Sequence, residues 1–414
     1  MKILVVTSHG TSEPRGPRHA LAAKCAFPDA EVTFLHFRAD DDCLASDELL
    51  LLRQHGIDCR AVTYPTRAIA PVRWLVRKLI TRMARLTYLT TGVTLQALFS
   101  ERTLGLTRIL SRMPADVYFA HNFEALMPSA LAAKRHGAAL VFDCMEFYSD
   151  MGDGQRKEVS RAIAEVEKQY LPGSRLVVAA SPELASAYAE AYGIDLPLAA
   201  YNTPPNCLKL PPRKGGALNL YWRNTVLGFG QRGLEDVLAA MARLPSDVHL
   251  HLQGHLGHDN GIALRQRIAE LGIEAQVSVL PPHPPSAAVM SAARFDVGLC
   301  LERKGPRNHD LTVSNKLFDY HMAGLAVIAA NLTGLATVIR RSGGGLLYDP
   351  GSVQALCEAV EALRSDPETL TRLQRNAREF ALQEANLDVE VSRIAEALRA
   401  KLSVPQSAGR VSGR

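Results

Sequence analysis

The sequence predicts an α/β protein with two doubly wound domains. Short strand-like runs alternate with helical patterns along nearly all of the 414 residues, and this alternation is typical of parallel βαβ units. The strand-like runs are almost continuously apolar, as expected for parallel strands that are covered on both faces. A proline-rich break near the middle of the chain, after which the alternation restarts, indicates that there are two such domains.

The first domain is predicted to span residues 1–202. Its strands are expected at residues 3–7, 31–37, 58–64, 116–120, 139–143 and 175–180. Helical patterns fill the gaps, notably at residues 124–136 and 155–170. A segment rich in basic residues, at about residues 65–112, interrupts the alternation and is interpreted as an insertion.

Residues 203–216 carry the proline cluster and are predicted to form the linker to a second domain at residues 217–385. Its strands are expected at residues 218–222, 247–252, 276–280, 296–301, 326–330 and 345–348. A last helix, at residues 386–402, is expected to cross back to the first domain, and the tail at 403–414 is expected to be disordered. Ligands of such sheets bind beyond the carboxyl ends of the strands, so the two domains are expected to face a central cleft.

Composition narrows the class of protein. Apolar residues make up 47% and charged residues 21% of the chain, as in ordinary globular proteins. The net charge of +5 is a mild basic bias that does not require a nucleic-acid partner, and none is expected. The seven cysteines are scattered and never form a CxxC pair, which favours a reducing compartment and gives no zinc pattern. No apolar stretch is long enough to span a bilayer, and the N-terminus lacks the design of a signal peptide.

Residues 314–324 form the most informative stretch, a predicted short helix that feeds into the apolar run at 325–330. Ser314 suits the N-cap and Gly324 the position after the helix. Lys316 falls in the first turn, where the helix dipole disfavours a cation unless an anion is bound there. Asp319 follows at i,i+3 spacing. Phosphate donors followed by a carboxylate suit a nucleotide, whose diphosphate comes before its ribose hydroxyls; an ordinary exposed Lys–Asp pair is the alternative.

A second pattern of this kind follows the first strand of the second domain. Residues 228–233 read Gly-Phe-Gly-Gln-Arg-Gly and open a helix. Gly230 allows close approach of the backbone to a ligand, and Arg232 offers a planar fork to phosphate. The alternative for Arg232 is a surface arginine in a first helical turn.

Together these features resemble the retaining GT-B glycosyltransferases, specifically the large group that includes bacterial cell-surface polysaccharide transferases. Residues 315–320, Asn-Lys-Leu-Phe-Asp-Tyr, and residues 323–329, Ala-Gly-Leu-Ala-Val-Ile-Ala, are similar to the group's NKLFEY…AGLPVV signature, with Asp319 where members usually carry Glu. The resemblance implies two Rossmann-like domains. It also implies a set of donor-binding residues: Gly10, Gly230, Arg232, Asn315, Lys316, Leu317 and Asp319.

The resemblance also assigns two residues of the first domain. Residues 116–126 resemble the group's V-x-A-H-D segment, which implies that His121 lies near the anomeric centre or the 6-hydroxyl of the sugar. A structural histidine is the alternative. The next strand ends in a stretch similar to Y-D-x-H-E, in which Met145 replaces the histidine and Glu146 remains to contact acceptor or donor sugar. His121 and Glu146 are therefore the predicted catalytic residues.

Two further positions bear on these assignments. Leu311 stands where many members of the group have an acid that grips the transferred sugar, and the adjacent Asp310 is a possible substitute. Arg15 opens the helix after the first strand-to-helix loop, where an anionic partner would be favourable.

The insertion contains an amphipathic helical pattern at residues 72–86. One face is expected to hold Trp74, Leu75, Leu79, Met83 and Leu86. Around the rest lie the basic residues Arg73, Arg77, Lys78, Arg82 and Arg85. A basic amphipathic helix suits an anionic membrane surface or a phosphate-bearing acceptor, and a core-facing helix with a solvated basic side is the alternative. The residues assigned to acceptor or membrane are Arg73, Trp74, Arg77, Lys78 and Arg82.

These observations predict a retaining glycosyltransferase of the hexosyltransferase type, acting on a nucleoside-diphosphate sugar and a polysaccharide, glycolipid or lipid-linked acceptor. The sequence has no P-loop, no GxGxxG after the first strand and no DxD cluster suited to a metal-bridged donor, so neither a cofactor nor a metal is expected. We expect a cytoplasmic protein of cell-envelope biosynthesis, with peripheral attachment to the inner face of the plasma membrane. A GT-B UDP-sugar epimerase and a non-catalytic GT-B partner protein remain as alternatives.

Overall fold

The computed structural model of the protein describes residues 1–9, 14–38, 47–63, 71–152, 154–212, 216–230 and 233–403. Gly10, Arg232 and the predicted tail beyond residue 403 lie outside these residues. The chain forms two compact units. The first comprises Met1–Ala200 together with the C-terminal segment that begins at Val391, and the second comprises Tyr201–Glu390.

The first unit is built on a parallel seven-stranded sheet. Its strands are β1 (Lys2–Thr7), β2 (Glu31–Arg38), β3 (Asp58–Thr63), β4 (Val117–His121), β5 (Ala139–Cys144), β6 (Leu176–Ala179) and β7 (Leu198–Ala199). They are ordered β3-β2-β1-β4-β5-β6-β7, so the chain winds outward in both directions from the centre of the sheet. The sequence did not predict β7, because a two-residue strand is too short to produce a recognisable pattern.

Helices lie between these strands along the chain. They are α1 (Arg15–Ala26), α2 (Asp47–Gln54), α3 (Pro71–Thr91), α4 (Glu101–Leu110), α5 (Phe123–His136), α6 (Lys157–Tyr170) and α7 (Pro182–Tyr192). The central strands are inaccessible to solvent at Val5, Phe119 and Val141. Burial on both faces explains why these strands read as continuous apolar runs rather than as alternating ones.

The second unit repeats this design with a six-stranded sheet ordered β10-β9-β8-β11-β12-β13. Its strands are β8 (Leu218–Val226), β9 (Val248–His255), β10 (Val277–Leu280), β11 (Val297–Cys300), β12 (Ala326–Ala330) and β13 (Gly345–Tyr348). Its helices are α8 (Leu234–Met241), α9 (His258–Leu271), α10 (Ala288–Ala292), α11 (Arg307–Leu311), α12 (Asn315–Met322), α13 (Thr333–Ser342), α14 (Val353–Ser365) and α15 (Pro367–Gln383). Two Rossmann-like, doubly wound sheets are therefore present, which confirms the predicted α/β fold class.

The last helix, α16 (Leu387–Leu402), begins in the second unit and ends in the first. Its Arg399 donates from Nε to the carbonyl of Ala26 at 3.1 Å and from a terminal nitrogen to the carbonyl of Cys25 at 2.9 Å. These two carbonyls belong to the C-terminal turn of α1, which lacks helical partners for them. The contact thus ties the end of the chain to the first helix.

The helix α12 has the ends that the sequence predicted. Ser314 is its N-cap residue, although the hydroxyl makes no capping hydrogen bond. At the other end Gly324 has a φ of 73°, and the N–H groups of Gly324 and Leu325 donate back to the carbonyls of His321 and Tyr320. This pair of hydrogen bonds is a Schellman motif, in which glycine supplies the left-handed conformation. The motif turns the chain directly into β12.

Close packing of α12 on the sheet predicts that Gly298→Ala destabilises the second unit. A Cβ at Gly298, in β11, would lie 2.3 Å from a ring carbon of Tyr320, whose side chain is fully buried. Displacing that ring should lower the free energy of unfolding by about 1–3 kcal/mol, measured by urea denaturation.

Gly105→Ala is the matched control. Gly105 lies within α4, and a Cβ there would meet no atom within 4 Å. In a helix this change should leave stability unchanged or raise it by up to about 1 kcal/mol. Equal free energies of unfolding for the two variants would contradict the prediction, because they would show that the Tyr320 ring can move aside without loss of stability.

Candidate functional site

In the second unit, two pairs of oppositely charged side chains lie at helix α12 beside the sheet. Lys316, in the first turn of α12, is 7% exposed. Its Nζ lies 3.1 Å from Oε1 of Glu302, which follows β11, and 5.7 Å from the centre of the Trp222 ring. A carboxylate of the protein therefore holds this cation at a helix start, where the dipole alone would disfavour it.

Asp319 lies one turn further along α12 and forms an ion pair with the guanidinium of Arg223 in β8. The backbone N–H of Arg223 donates to the hydroxyl of Tyr320 at 3.1 Å. Burial alone would lower the pKa of Arg223, but the neighbouring Asp319 carboxylate raises it above its ordinary value. Lys316 and Asp319 thus each pair with a side chain from another element, whereas the simple alternative was an exposed helix pair.

The remaining predicted donor residues differ in what they can offer a ligand. Asn315, the first residue of α12, is exposed. Leu317 is fully buried in the hydrophobic core, so its side chain packs and only its backbone is available to a ligand. Gly230 is exposed with a φ of 121°, and its N–H donates to Oε1 of Glu235 at 2.5 Å. Gly10 and Arg232 fall outside the described parts of the chain.

Arg223 and Glu302 are the polar residues of this region that the sequence analysis missed. Both stand at the carboxyl-end side of neighbouring parallel strands, because β8 pairs with β11. Their position relative to the predicted strands could have identified them. Each is a charged residue at or just after the end of an apolar run, where ligands of doubly wound sheets bind.

Asp310 has a structural partner that was not anticipated. Its Oδ1 accepts from the backbone N–H of Thr333 at 3.0 Å, and its Oδ2 accepts from the Thr333 hydroxyl at 2.6 Å. Thr333 is the first residue of α13, so the carboxylate satisfies an N–H at that helix start. This double engagement does not favour Asp310 as a substitute for the acid that is missing at Leu311.

In the first unit, His121 lies at the end of β4 within a buried charged cluster. The strand register places His121 directly opposite Asp143 of β5. Nδ1 of His121 lies 2.7 Å from Oδ2 of Asp143, and the Arg15 guanidinium donates to both oxygens of that carboxylate at 2.7–3.0 Å. His19 completes the cluster, with Nε2 3.7 Å from Oδ1 of Asp143. All four side chains are at most 3% exposed.

The electrostatics of this cluster are dominated by Asp143. Burial would raise the pKa of its carboxyl, but Arg15, His19 and His121 together hold the pKa well below its usual range. One oxygen of Asp143 and one ring nitrogen from each of His19 and His121 lie within 4.8 Å of one another, a spacing that a metal ion could bridge. Arg15 already supplies the positive charge at that carboxylate, so we interpret the cluster as an ion-pair network and not as a metal centre.

The backbone beside His121 is held in an unusual conformation. Asn122 has a φ of 68°, in the left-handed region that non-glycine residues seldom adopt. The Ser8 hydroxyl lies 3.1 Å from Oδ1 of Asn122, and the Asn122 N–H donates to the carbonyl of Asp143. Conformations of this kind cluster at ligand sites. The predicted histidine is therefore one member of a group of closely packed residues that also includes Asp143, Arg15 and Asn122.

Glu146, the second predicted catalytic residue, follows β5 and is half-buried. Its carbonyl lies 3.0 Å from the hydroxyl of Tyr188, and the same hydroxyl lies 2.5 Å from Oε1 of Glu167. Glu167 is inaccessible to solvent, and its other oxygen is hydrogen-bonded to the Tyr192 hydroxyl. Burial raises the pKa of Glu167 to about 7, although the two tyrosine hydrogen bonds lower it. When Glu167 is protonated, Tyr188 is free to donate to the Glu146 carbonyl.

The residues assigned to acceptor or membrane lie on α3. Trp74 and Arg77 are half-buried, whereas Lys78 and Arg82 are exposed. Nζ of Lys78 lies 5.9 Å from the centre of the Trp74 ring. The side chain of Arg73 is outside what the structure describes. Trp74 therefore does not share the exposure of the leucines with which the sequence grouped it.

Two family profiles match the chain. The profile described as "Glycosyl transferase 4-like domain" matches residues 47–200, and the one described as "Glycosyl transferases group 1" matches residues 226–366. The first match contains His121 and Glu146, and the second contains α12. No curated protein sequence matches the chain significantly.

Several solved structures share the fold over almost their whole length. Anabaena HepE in complex with UDP-glucose aligns with a TM-score of 0.69 at 18% identity, covering 97% of this chain and 100% of that one. Sucrose-phosphate synthase from Thermosynechococcus elongatus aligns at 0.67 and 15% identity, covering 97% and 99%. WaaG, a glycosyltransferase involved in lipopolysaccharide biosynthesis, aligns at 0.61 and 14% identity, covering 96% and 99%.

The buried carboxyl of Glu167 predicts a pH-dependent stability. Its pKa is raised in the folded state, so between about pH 4.5 and pH 7 the folded protein binds more protons than the unfolded chain, and stability falls as the pH rises through this window. The full effect is about 3 kcal/mol. Glu167→Gln should remove it, so the variant should gain stability over wild type as the pH is raised from about 5 to 8.

Thermal unfolding of both proteins across this range measures the difference. Glu379→Gln is the control, since Glu379 is an exposed glutamate on α15, in the second unit, whereas Glu167 lies in the first. That change should leave the pH profile of wild type intact. A constant difference between wild type and Glu167→Gln at all pH values would refute the shifted ionisation.

Proposed function

We propose, from the premise that this chain is a glycosyltransferase with the GT-B fold, that its second unit binds a nucleoside-diphosphate sugar at the start of α12. The observation that carries the proposal is Lys316, a cation kept at a helix N-terminus at the carboxyl-end side of β8 and β11. Helix starts and fixed cations favour anionic groups. The family profile for glycosyl transferases group 1 covers this helix.

The pairing of Lys316 with Glu302 is compatible with a donor diphosphate. An ammonium group has three hydrogens to donate, so Lys316 can keep its contact with Glu302 and also donate to a phosphate oxygen. Glu302 would then fix the ammonium before the donor arrives, and little reorganisation would be needed during the reaction. Arg232 and the exposed Gly230 loop are proposed to add a second contact to the phosphates.

Asp319 is proposed to accept hydrogen bonds from the ribose hydroxyls. Its ion pair with Arg223 supports this role by orienting the carboxylate. Asn315, at the exposed start of the helix, and the backbone at Leu317 would complete the donor contacts. UDP is the first nucleotide to test, because similar structures were solved with UDP and with UDP-glucose.

We further propose transfer with retention of the anomeric configuration and without a resident metal. Negative charge develops on the departing diphosphate, and Lys316 with the helix start would stabilise it. The leaving phosphate can itself take the proton of the acceptor hydroxyl, so no strong nucleophile is required. Glu146 is proposed to contact the sugar. His121 is proposed to contact it as well, but its imidazole, which Asp143 and Arg15 hold in place, is inaccessible to solvent, so this contact requires a local rearrangement. The acceptor is proposed to be a glycan, glycolipid or lipid-linked sugar of the cell envelope, reached from the cytoplasmic side.

Nucleotide binding and transfer test the proposal in two steps. UDP, GDP, ADP and dTDP are compared by thermal shift, and the correct nucleotide at 100 times its Kd should add about 2.7 kcal/mol of stability. In the presence of a glycan, glycolipid or lipid-linked sugar as acceptor, the matching nucleotide sugar should then be consumed, with or without EDTA, and NMR should show a glycosylated acceptor of retained configuration. Stabilisation without any consumption would support the non-catalytic alternative. Conversion of the nucleotide sugar into its epimer, without transfer to an acceptor, would support the epimerase alternative.

The sharpest single variant is Lys316→Gln, which removes the cation from the developing diphosphate charge. It should lower kcat/KM by about 10²–10³, equivalent to roughly 2.7–4 kcal/mol of transition-state stabilisation. Because Glu302 then loses the ammonium group that lies 3.1 Å from it, stability should fall as well, by about 3–5 kcal/mol at most. Steady-state kinetics and urea denaturation measure the two effects separately.

The double variant Lys316→Gln with Glu302→Gln separates the two roles. It removes the buried carboxylate charge together with the ammonium, so stability should recover while kcat/KM stays low. Lys304→Gln is the control, since Lys304 is exposed on the segment between β11 and α11. Recovery of activity together with stability in the double variant would mean that Lys316 acts only in folding.

A further inference from the structure

The outer face of α3 carries a continuous row of exposed apolar side chains. We call this row the apolar ridge; it consists of Val72, Leu75, Val76, Leu79, Met83 and Leu86. Their exposure ranges from 50% at Val76 to 73% at Val72. Residues at this spacing fall on one side of a helix. Large apolar residues in such a contiguous row mark an interaction surface more often than isolated ones do.

The opposite face of α3 is the one that packs on the protein. Ala84 and Tyr88 are buried in a small apolar cluster that also contains Ala162 of α6. The Tyr88 hydroxyl donates to Glu165 at 3.1 Å, and Arg85 forms an ion pair with Glu158, also on α6. These contacts fix the rotation of α3 about its axis, so the apolar ridge points away from the packed side. The alternative of a core-facing apolar side does not hold for these residues.

Charge complementarity indicates which partner the ridge fits. Residues 71–91 contain five basic residues and no acidic one. Lys78 and Arg82 are exposed along one flank of the ridge, whereas Arg85 is already engaged by Glu158. Basic side chains beside an apolar stripe match the phosphates and acyl chains of an anionic lipid surface.

The shape of this surface also favours lipid over a protein partner. The ridge is the convex outer side of a single helix, about 20 Å long from Val72 to Leu86 at the rise of an α-helix. A protein would need a complementary groove to cover it, whereas a bilayer interface deforms around an amphipathic helix that lies in its plane. No helix among the described residues is long and apolar enough to cross a membrane.

We propose that α3 docks the protein on anionic membranes by inserting the apolar ridge at the boundary between headgroups and acyl chains. Lys78 and Arg82 then lie at the level of the lipid phosphates. Insertion of the leucines supplies most of the affinity, and the two cations supply the preference for anionic lipid. This surface is independent of the donor chemistry proposed above, and it lies in the other unit.

Vesicle co-sedimentation tests the proposal with the full chain. The double variant Leu79→Ser with Met83→Ser changes two exposed positions of the ridge, so folding should be unaffected. Leu208→Ser is the matched control, since Leu208 is 80% exposed but lies in the second unit. On vesicles of equal parts phosphatidylglycerol and phosphatidylcholine, wild type and control should bind alike, and the ridge variant should bind at least about tenfold more weakly.

A separate experiment tests the contribution of the basic residues to vesicle binding. Lys78→Gln with Arg82→Gln should remove the preference for these vesicles over pure phosphatidylcholine. High salt should weaken the binding of wild type without abolishing it, because screening acts on the cations and not on the buried leucines. Complete release at high salt would overturn the dominant role of the ridge.

Two further results would overturn the proposal. One is equal vesicle binding by wild type and ridge variant. The other is a dimer of wild type in sedimentation velocity that is lost in the ridge variant while vesicles recruit neither, which would assign the ridge to a second copy of the chain. The thermal shift with UDP is recorded for every variant. An unchanged shift separates a failure of docking from a failure of the proposed donor site.

Discussion

Burial of both faces of each parallel sheet is the constraint on which the rest of the structure depends. Because the strands are covered on both sides, charged side chains that serve a ligand are confined to the strand ends and to the loops and helix starts that follow. Parallel strands end at the same edge of a sheet, so residues far apart in the chain meet there. His121 and Asp143 stand in direct register at the ends of β4 and β5. Arg223 and Glu302, from the neighbouring strands β8 and β11 or just after them, each pair with a charged residue of α12.

Pairing of buried charges follows from this placement. A single charge at such a poorly solvated edge costs several kcal/mol unless a partner compensates it. Lys316 is held by Glu302, Asp319 by Arg223, and Asp143 by Arg15. The pairs keep each charge in a defined position before any substrate binds. Electrostatic catalysis depends on this kind of preorganisation, because fixed charges need not reorient as the transition state forms.

The apolar ridge of α3 departs from the burial of apolar side chains elsewhere in the protein. The protein buries most of its large apolar side chains in the sheets and their covering helices, yet one helix presents a row of them to solvent. One ion pair and one tyrosine hydrogen bond hold the other side of α3 to α6. If the acceptor is lipid-linked, as proposed, docking of the first unit would keep the protein at the surface that holds this acceptor. The two proposals therefore describe one task but rest on separate residues.

The sequence by itself determined the class, order and approximate limits of the elements, since apolar periodicity, caps and glycines act within a few residues of one another. Ser314 and Gly324 bounded α12 in this way, whereas β7 was too short to leave a pattern. It also placed Lys316 in the first turn of α12, Asp319 one turn further along that helix and His121 at the end of a strand. Only the tertiary structure decided their partners, because Glu302, Arg223 and Asp143 reach them through the register of the sheets and not through local spacing. It likewise decided which side of α3 is exposed, since Glu158 and Glu165 of α6 select the packed side.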